Sequence, residues 1–129
     1  MKPILEQSKT IYLQIAETIE DDILKGVIQE EEQVPSTNQF AKLLQINPAT
    51  AAKGINLLVD EGILYKKRGI GMFVNSGART QVLKKRQEHF MRDVLPRMLE
   101  EARKLQITRE DLIHMIENST ERSGSDDCH

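Results

Sequence analysis

The 129-residue sequence predicts a mainly α-helical fold carrying one small β-hairpin. Three observations lead there. Ile11, Ile15, Ile19 and Ile23 recur at every fourth position, the stripe of a helix that buries one side. Two helix-start signatures follow, Ser36 with Gln39 three residues later and Asn47 with Pro48 directly after it. Residues 63–74 then join strand-favouring side chains to a basic tip containing two glycines, the composition of a hairpin.

Each element has a local cause. The first helix starts near Thr10 as its N-cap and ends at Gly26, with Tyr12 read as a packing residue. Val27 and Ile28 lead into an acidic turn at Glu30, Glu31 and Glu32. A short helix occupies residues 34–44, begun by a capping box in which Ser36 and Gln39 satisfy each other's amides. Gln45 and Ile46 form a tight turn. Asn47 caps the next helix, and Pro48 sits where a missing N–H is harmless. That helix runs to Glu61 and stops at Gly62. Ala51, Ile55 and Leu58 face the core, while Ala49, Lys53 and Asn56, flanked by Thr50, face outward. Gly54 lies mid-helix, where alanine would be favoured by about 1 kcal/mol. Three helices and a charged hairpin in this order make a winged helix-turn-helix. In that layout the second helix of the pair enters the DNA major groove, and the hairpin tip reaches the neighbouring backbone or minor groove.

Beyond Val74, residues 75–78 read as a polar hinge. Helical patterning resumes near Thr80, with Leu83, Phe90, Val94, Leu95, Met98, Leu99, Ala102 and Leu105 as its apolar face. Pro96 lies inside this run, so the helix kinks or restarts there. Thr108 and Asp111 cap a last helix whose stripe is Leu112, Met115 and Ile116. The expected division is a winged domain over residues 1–76, a two-helix region over 77–119, and an unstructured tail over 120–129. Cys128 and His129 are adjacent in that tail and do not make a ligand set.

Composition narrows the function. Hydrophobic residues at 39% and charged residues at 29% are those of a water-soluble globular chain. No apolar run approaches the ~20 residues of a membrane helix, and residues 1–6 lack the apolar core of a signal peptide. A single cysteine cannot close an internal disulfide, which points to the cytoplasm. His89 and His114 are isolated, no nucleophile–base pair is apparent, and Arg68 to Val74 lacks the third glycine of a phosphate loop. No enzyme, metal or cofactor is expected. The net charge of −2 argues against indiscriminate binding to nucleic acid. Yet the stretch from Lys66 to Arg86 holds seven basic residues (Lys66, Lys67, Arg68, Arg79, Lys84, Lys85, Arg86) and no acid, which reads as a basic binding face.

The expected contacts to double-stranded DNA are Ser36, Thr37, Asn38, Asn47, Ala49, Thr50, Lys53, Lys66, Lys67, Arg68, Gly69 and Gly71. The C-terminal helices have apolar faces too large to bury against each other alone. They either fold back on the winged domain or pair with a second copy. A homodimer is expected, through Phe90, Val94, Leu95, Met98, Leu99, Leu105, Leu112, Met115 and Ile116. Two helices leave little room for an enclosed ligand cavity, so a small-molecule effector, if there is one, would bind at the dimer interface or between the helices and the winged domain. The competing reading is a winged helix that binds protein without sequence-specific DNA contact.

Five runs in unbroken order, residues 11–16, 34–41, 46–53, 60–64 and 68–74, resemble the GntR family of bacterial transcription regulators. Residues 100–105 and 107–112 look like the short C-terminal region of its YtrA-like branch. The resemblance implies a dimeric repressor, and a two-fold dimer, with its reading helices in opposite senses, is expected to bind an inverted-repeat operator. Departures from the family pattern are Asn38, where an arginine often stands, and Pro48 with Ala52, where other branches carry base-reading arginines. They place more weight on Lys53, the wing and indirect readout.

Overall fold

The first helix begins earlier than its capping residue suggests. In the computed structural model, which describes the backbone of residues 4–127 and the side chains of residues 11–119, α1 spans Ile4–Lys25. Residues 4–9 contain neither proline nor glycine, so nothing in the backbone halts the helix before Thr10. Ile15, Ile19 and Ile23 are buried as the stripe requires, but Ile11 is exposed.

Helix α2 (Thr37–Leu44) opens with the expected capping box. Gln39 N donates to Ser36 Oγ at 3.1 Å, and Ser36 N donates to Gln39 Oε1 at 2.8 Å. It closes on Gln45, whose left-handed backbone (φ 54°) makes the tight turn. Helix α3 (Pro48–Asp60) is capped by Asn47, which accepts from Ala49 N at 2.8 Å. Ala51, Ile55 and Leu58 are fully buried.

Gly54 packs against α1. A Cβ there would lie 2.6 Å from the Tyr12 carbonyl oxygen and 3.1 Å from Ile15 Cβ. The two helices meet at a distance that only glycine permits, which explains a residue that helix propensity alone disfavours.

The hairpin pairs β1 (Leu64–Lys67) with β2 (Gly71–Val74), in a register that sets Leu64 opposite Val74 and Lys67 opposite Gly71. Residues 31–34, of which Glu31 and Glu32 are expected in an acidic turn and Val34 in the helix after it, form an edge beside β2. Glu31 N donates to Val74 O (2.7 Å), Val74 N to Glu32 O (3.0 Å) and Val34 N to Met72 O (2.9 Å). Val34, Ile63, Leu64 and Val74 join α1, α2 and α3 in one core.

By its contacts the chain divides into two compact units, Met1–Arg86 and Gln87–His129. The stretch 75–78, expected as a polar hinge, is tied to the first unit at both ends. Asn75 Nδ2 donates to Gly62 O at 3.0 Å, and helix α4 (Ala78–His89) sends Ala78 and Val82 into the core. Lys85 Nζ then reaches Glu20 (2.5 Å) and Glu61 (2.7 Å), and Arg86 reaches Glu20 (2.9 Å) and Asp21 (2.9 Å). Glu20 is almost fully buried. Burial alone would lower the Lys85 pKa, but hydrogen bonds and the charges of Glu20 and Glu61 outweigh it and raise it above the usual 10.5.

In the second unit a π-turn, Phe90–Val94, joins α4 to α5 (Leu95–Lys104). Leu95 N donates to Phe90 O, five residues back. Pro96 has no N–H and would clash with a regular turn, so the helix widens just before it. The kink expected at Pro96 thus takes the form of a π-turn. Helix α6 (Arg109–Asp127) starts with the Thr108–Asp111 box, at 3.1 and 3.3 Å. It continues through most of the stretch expected as a tail, and Cys128 and His129 lie outside the described residues.

Candidate nucleic-acid interface

The residues expected to meet DNA fall on three elements of the first unit. On α2, Ser36 is occupied in capping, Asn38 is exposed, and Thr37 is half-buried. On α3, Asn47 is likewise occupied by its cap. Ala49, Lys53 and Asn56 are exposed and Thr50 is half-buried, opposite the buried Ala51, Ile55 and Leu58. The outward face is therefore small and polar, with one cation. Lys53 Nζ lies over the Tyr12 ring, 4.8 Å from its centroid.

The wing presents its charge on a braced loop. Ile70 N donates to Lys67 O at 2.9 Å, closing a turn over Arg68 and Gly69. Gly69, the third residue of that turn, has φ 79°, the left-handed conformation that a type II turn requires there and that glycine adopts freely. Lys66, Lys67, Arg68 and Gly69 are exposed, and Gly71 is half-buried. Strand alternation sends Lys66 and Lys67 to opposite faces. Lys67 Nζ sits 4.5 Å from the Phe73 ring centroid, and Phe73 stacks on Tyr65 at 5.9 Å. The Tyr65 hydroxyl donates to Glu31 Oε2 at 2.7 Å, a bond that raises its pKa because the phenolate would lose it. Beneath the loop, Gln33 Nε2 donates to Ile70 O at 3.1 Å.

The basic face is smaller than the charge run implies. Lys85 and Arg86 are spent on Glu20, Asp21 and Glu61. Arg79 Nε donates to Leu24 O at 3.3 Å. Of the seven basic residues, Lys66, Lys67, Arg68 and Lys84 remain for an external partner, and the exposed Arg79 keeps its terminal guanidinium nitrogens for one as well. Sequence reasoning also passed over Gln33, whose bond to Ile70 spans 37 residues and leaves no local signal.

The residues expected at a dimer interface all lie in the second unit. Phe90, Met98, Leu99, Leu105, Met115 and Ile116 are exposed, whereas Val94, Leu95 and Leu112 are half-buried. An open groove of about 510 Å³ runs past Val94, Met98, Leu105 and Leu112, with Arg97 and Glu101 at its edge. Among the described residues no group of His, Cys, Asp and Glu is placed to hold a metal, and no helix is long and apolar enough to cross a membrane.

Known proteins share this architecture. The family "Bacterial regulatory proteins, gntR family" matches residues 11–74. A crystal structure of a transcriptional regulator assigned to the GntR family, from Bacteroides thetaiotaomicron, superposes with a TM-score of 0.74 at 34% identity, covering 88% of this chain and 99% of that one. The uncharacterized HTH-type transcriptional regulator YhcF of Bacillus subtilis is 26% identical over 90% of this chain and 94% of its own length. The HTH-type transcriptional repressor YtrA of Bacillus subtilis is 32% identical over 59% of this chain, which spans 58% of YtrA.

Proposed function

Because the chain belongs to the GntR family of bacterial regulatory proteins, we propose that it is a cytoplasmic transcription regulator that binds specific double-stranded DNA, and that it acts as a homodimeric repressor at an inverted-repeat operator. The observation that carries the DNA reading is the pairing, within one unit, of a polar outward face on α3 with a braced basic loop. Ala49, Thr50 and Lys53 meet base edges or adjacent phosphates, assisted by Thr37, Asn38 and the helix starts at Ser36 and Asn47. Lys66, Lys67 and Arg68, on a loop shaped by Gly69 and Gly71, grip the flanking backbone or minor groove. The repressor assignment is supported by the likeness to YtrA, named as a repressor.

Homodimerisation is supported by the second unit, where Ala102 is the only apolar side chain buried among the described residues. A two-fold dimer presents its reading helices in opposite senses, which selects an inverted repeat. The groove beside Met98 is open, so an effector would be enclosed only once a second copy covers it.

Genomic fragments captured by the purified protein supply the probe. Phosphate contacts release counterions, so affinity for the captured duplex should fall steeply with salt. Replacing Lys67 and Arg68 by alanine should weaken specific and random duplexes alike and flatten the log–log salt slope by about 2. An unchanged slope would remove the wing from the interface. Failure to enrich any fragment would instead favour a protein partner.

A further inference from the structure

We propose that Tyr12 is a positioning residue for DNA recognition, its ring holding the Lys53 ammonium in place on the reading face of α3. The inference rests on the reading of α3 as the helix that meets DNA. Three observations converge on it. Lys53 Nζ lies 4.8 Å from the centroid of the Tyr12 ring, within the range of a cation–π contact. Tyr12 is half-buried in α1, so its ring is held while Lys53 stays exposed. The approach of α1 to α3 that creates the contact is built in by Gly54, where a Cβ would come within 2.6 Å of the Tyr12 carbonyl.

A lysine on an open helix face samples many rotamers, and ordering it on DNA opposes binding. A ring beneath the ammonium restricts that sampling before DNA arrives. The contact leaves the outer hemisphere of the ammonium and its N–H donors available to a phosphate or base edge. The outward face of α3 otherwise holds Ala49, Thr50 and Asn56, with Asp60 at its far end, so Lys53 is its one cation. Fixing that charge matters more here than on a helix with several cations. The same geometry gives Gly54 a second purpose, since any side chain there pushes Tyr12 away from Lys53.

The test uses the full-length protein and a duplex that it selects from a random pool. Affinities are measured at one ionic strength for the parent, Tyr12→Phe, Tyr12→Leu, Lys53→Met and the Tyr12→Leu/Lys53→Met pair. Tyr12→Phe keeps the ring and should bind as the parent does. Tyr12→Leu should weaken binding by about two- to fivefold, the fold-change equivalent of one exposed cation–π contact. The same substitution should have no further effect once Lys53 is methionine. In the free protein, the Lys53 ε-methylene protons should carry an upfield ring-current shift that Tyr12→Phe preserves and Tyr12→Leu abolishes, a signature that packing alone does not produce. If Lys53→Met weakens binding but Tyr12→Leu does not, the positioning role is overturned and α3 remains the reader. If Tyr12→Phe loses as much as Tyr12→Leu, the hydroxyl itself contacts DNA and the ring argument fails. Lys53→Met binding like the parent would overturn both this inference and the role of Lys53 in the reading helix.

Discussion

Gly54 illustrates how a residue that looks costly locally becomes necessary through space. Alanine at this position should gain about 1 kcal/mol of helix propensity. Its methyl, however, would meet a backbone oxygen at 2.6 Å, and a carbonyl in the middle of α1 has no soft way to yield. Overpacking of this kind typically costs about 1–3 kcal/mol, so the clash should win. Gly54→Ala is therefore expected to lower the melting temperature by several degrees, and Gly54→Val by more. A Gly54→Ala protein as stable as the parent would show that α1 and α3 separate easily. The glycine itself was visible in the sequence, but its reason was not, because Tyr12 and Ile15 face it across a helix pair rather than along the chain. The outward positions Ala49 and Lys53 were legible, since helical periodicity alone separates them from Ala51, Ile55 and Leu58.

Among the elements, local chemistry was readable and long-range pairing was not. The boxes at Ser36–Gln39 and Thr108–Asp111 each close over three residues, so the sequence contains both partners side by side. The edge at residues 31–34 depends on β2 some forty positions away, and its two glutamates hide any strand pattern. Charge was misread for the same reason. Lys85 and Arg86 find Glu20 at separations of 65 and 66 residues, which turns two of the seven basic residues of an apparent binding face into a latch that holds α4. The latch makes an asymmetric prediction. Glu20 is 1% exposed and cannot turn to water, whereas Lys85 and Arg86 are 38% and 30% exposed and can. Replacing both cations by alanine strands a buried carboxylate and should cost on the order of 3–5 kcal/mol. Glu20→Gln leaves two cations that can rotate outward, and should cost clearly less. Equal losses in urea unfolding would mean that Glu20 gains solvent when released. Alkali provides an independent check. Lys85 has a raised pKa in the folded state, so its contribution is complete below 10.5 and disappears as pH rises through the raised value. Between those limits the parent should lose stability that a Lys85→Met variant never had.

For the whole molecule, the question is what covers the second unit. A helical segment with one buried apolar side chain among its described residues cannot offset the entropy of ordering its backbone. Phe90 and Leu105 are 54% and 61% exposed, on surfaces of a kind that soluble proteins seldom leave contiguous and open. A second copy is the partner always present at the right concentration, and the proposed inverted repeat needs two reading heads. Full-length protein should therefore sediment as a dimer at micromolar concentration. Leu105→Glu separates the possibilities: on a solvated face the change should be nearly neutral, within about 0.5 kcal/mol, whereas at an interface it should dissociate the dimer and weaken binding to a two-half-site duplex. Truncation adds a second line. A chain ending at His89 keeps Ala78, Val82 and the Glu20 latch, and should be a folded monomer that still binds a single half-site weakly. A chain ending at Ser76 loses two core residues and every latch contact, and should melt well below the His89 form. If full-length protein is monomeric and Leu105→Glu is silent, the apolar face belongs to some other partner, and a symmetric operator has no structural basis.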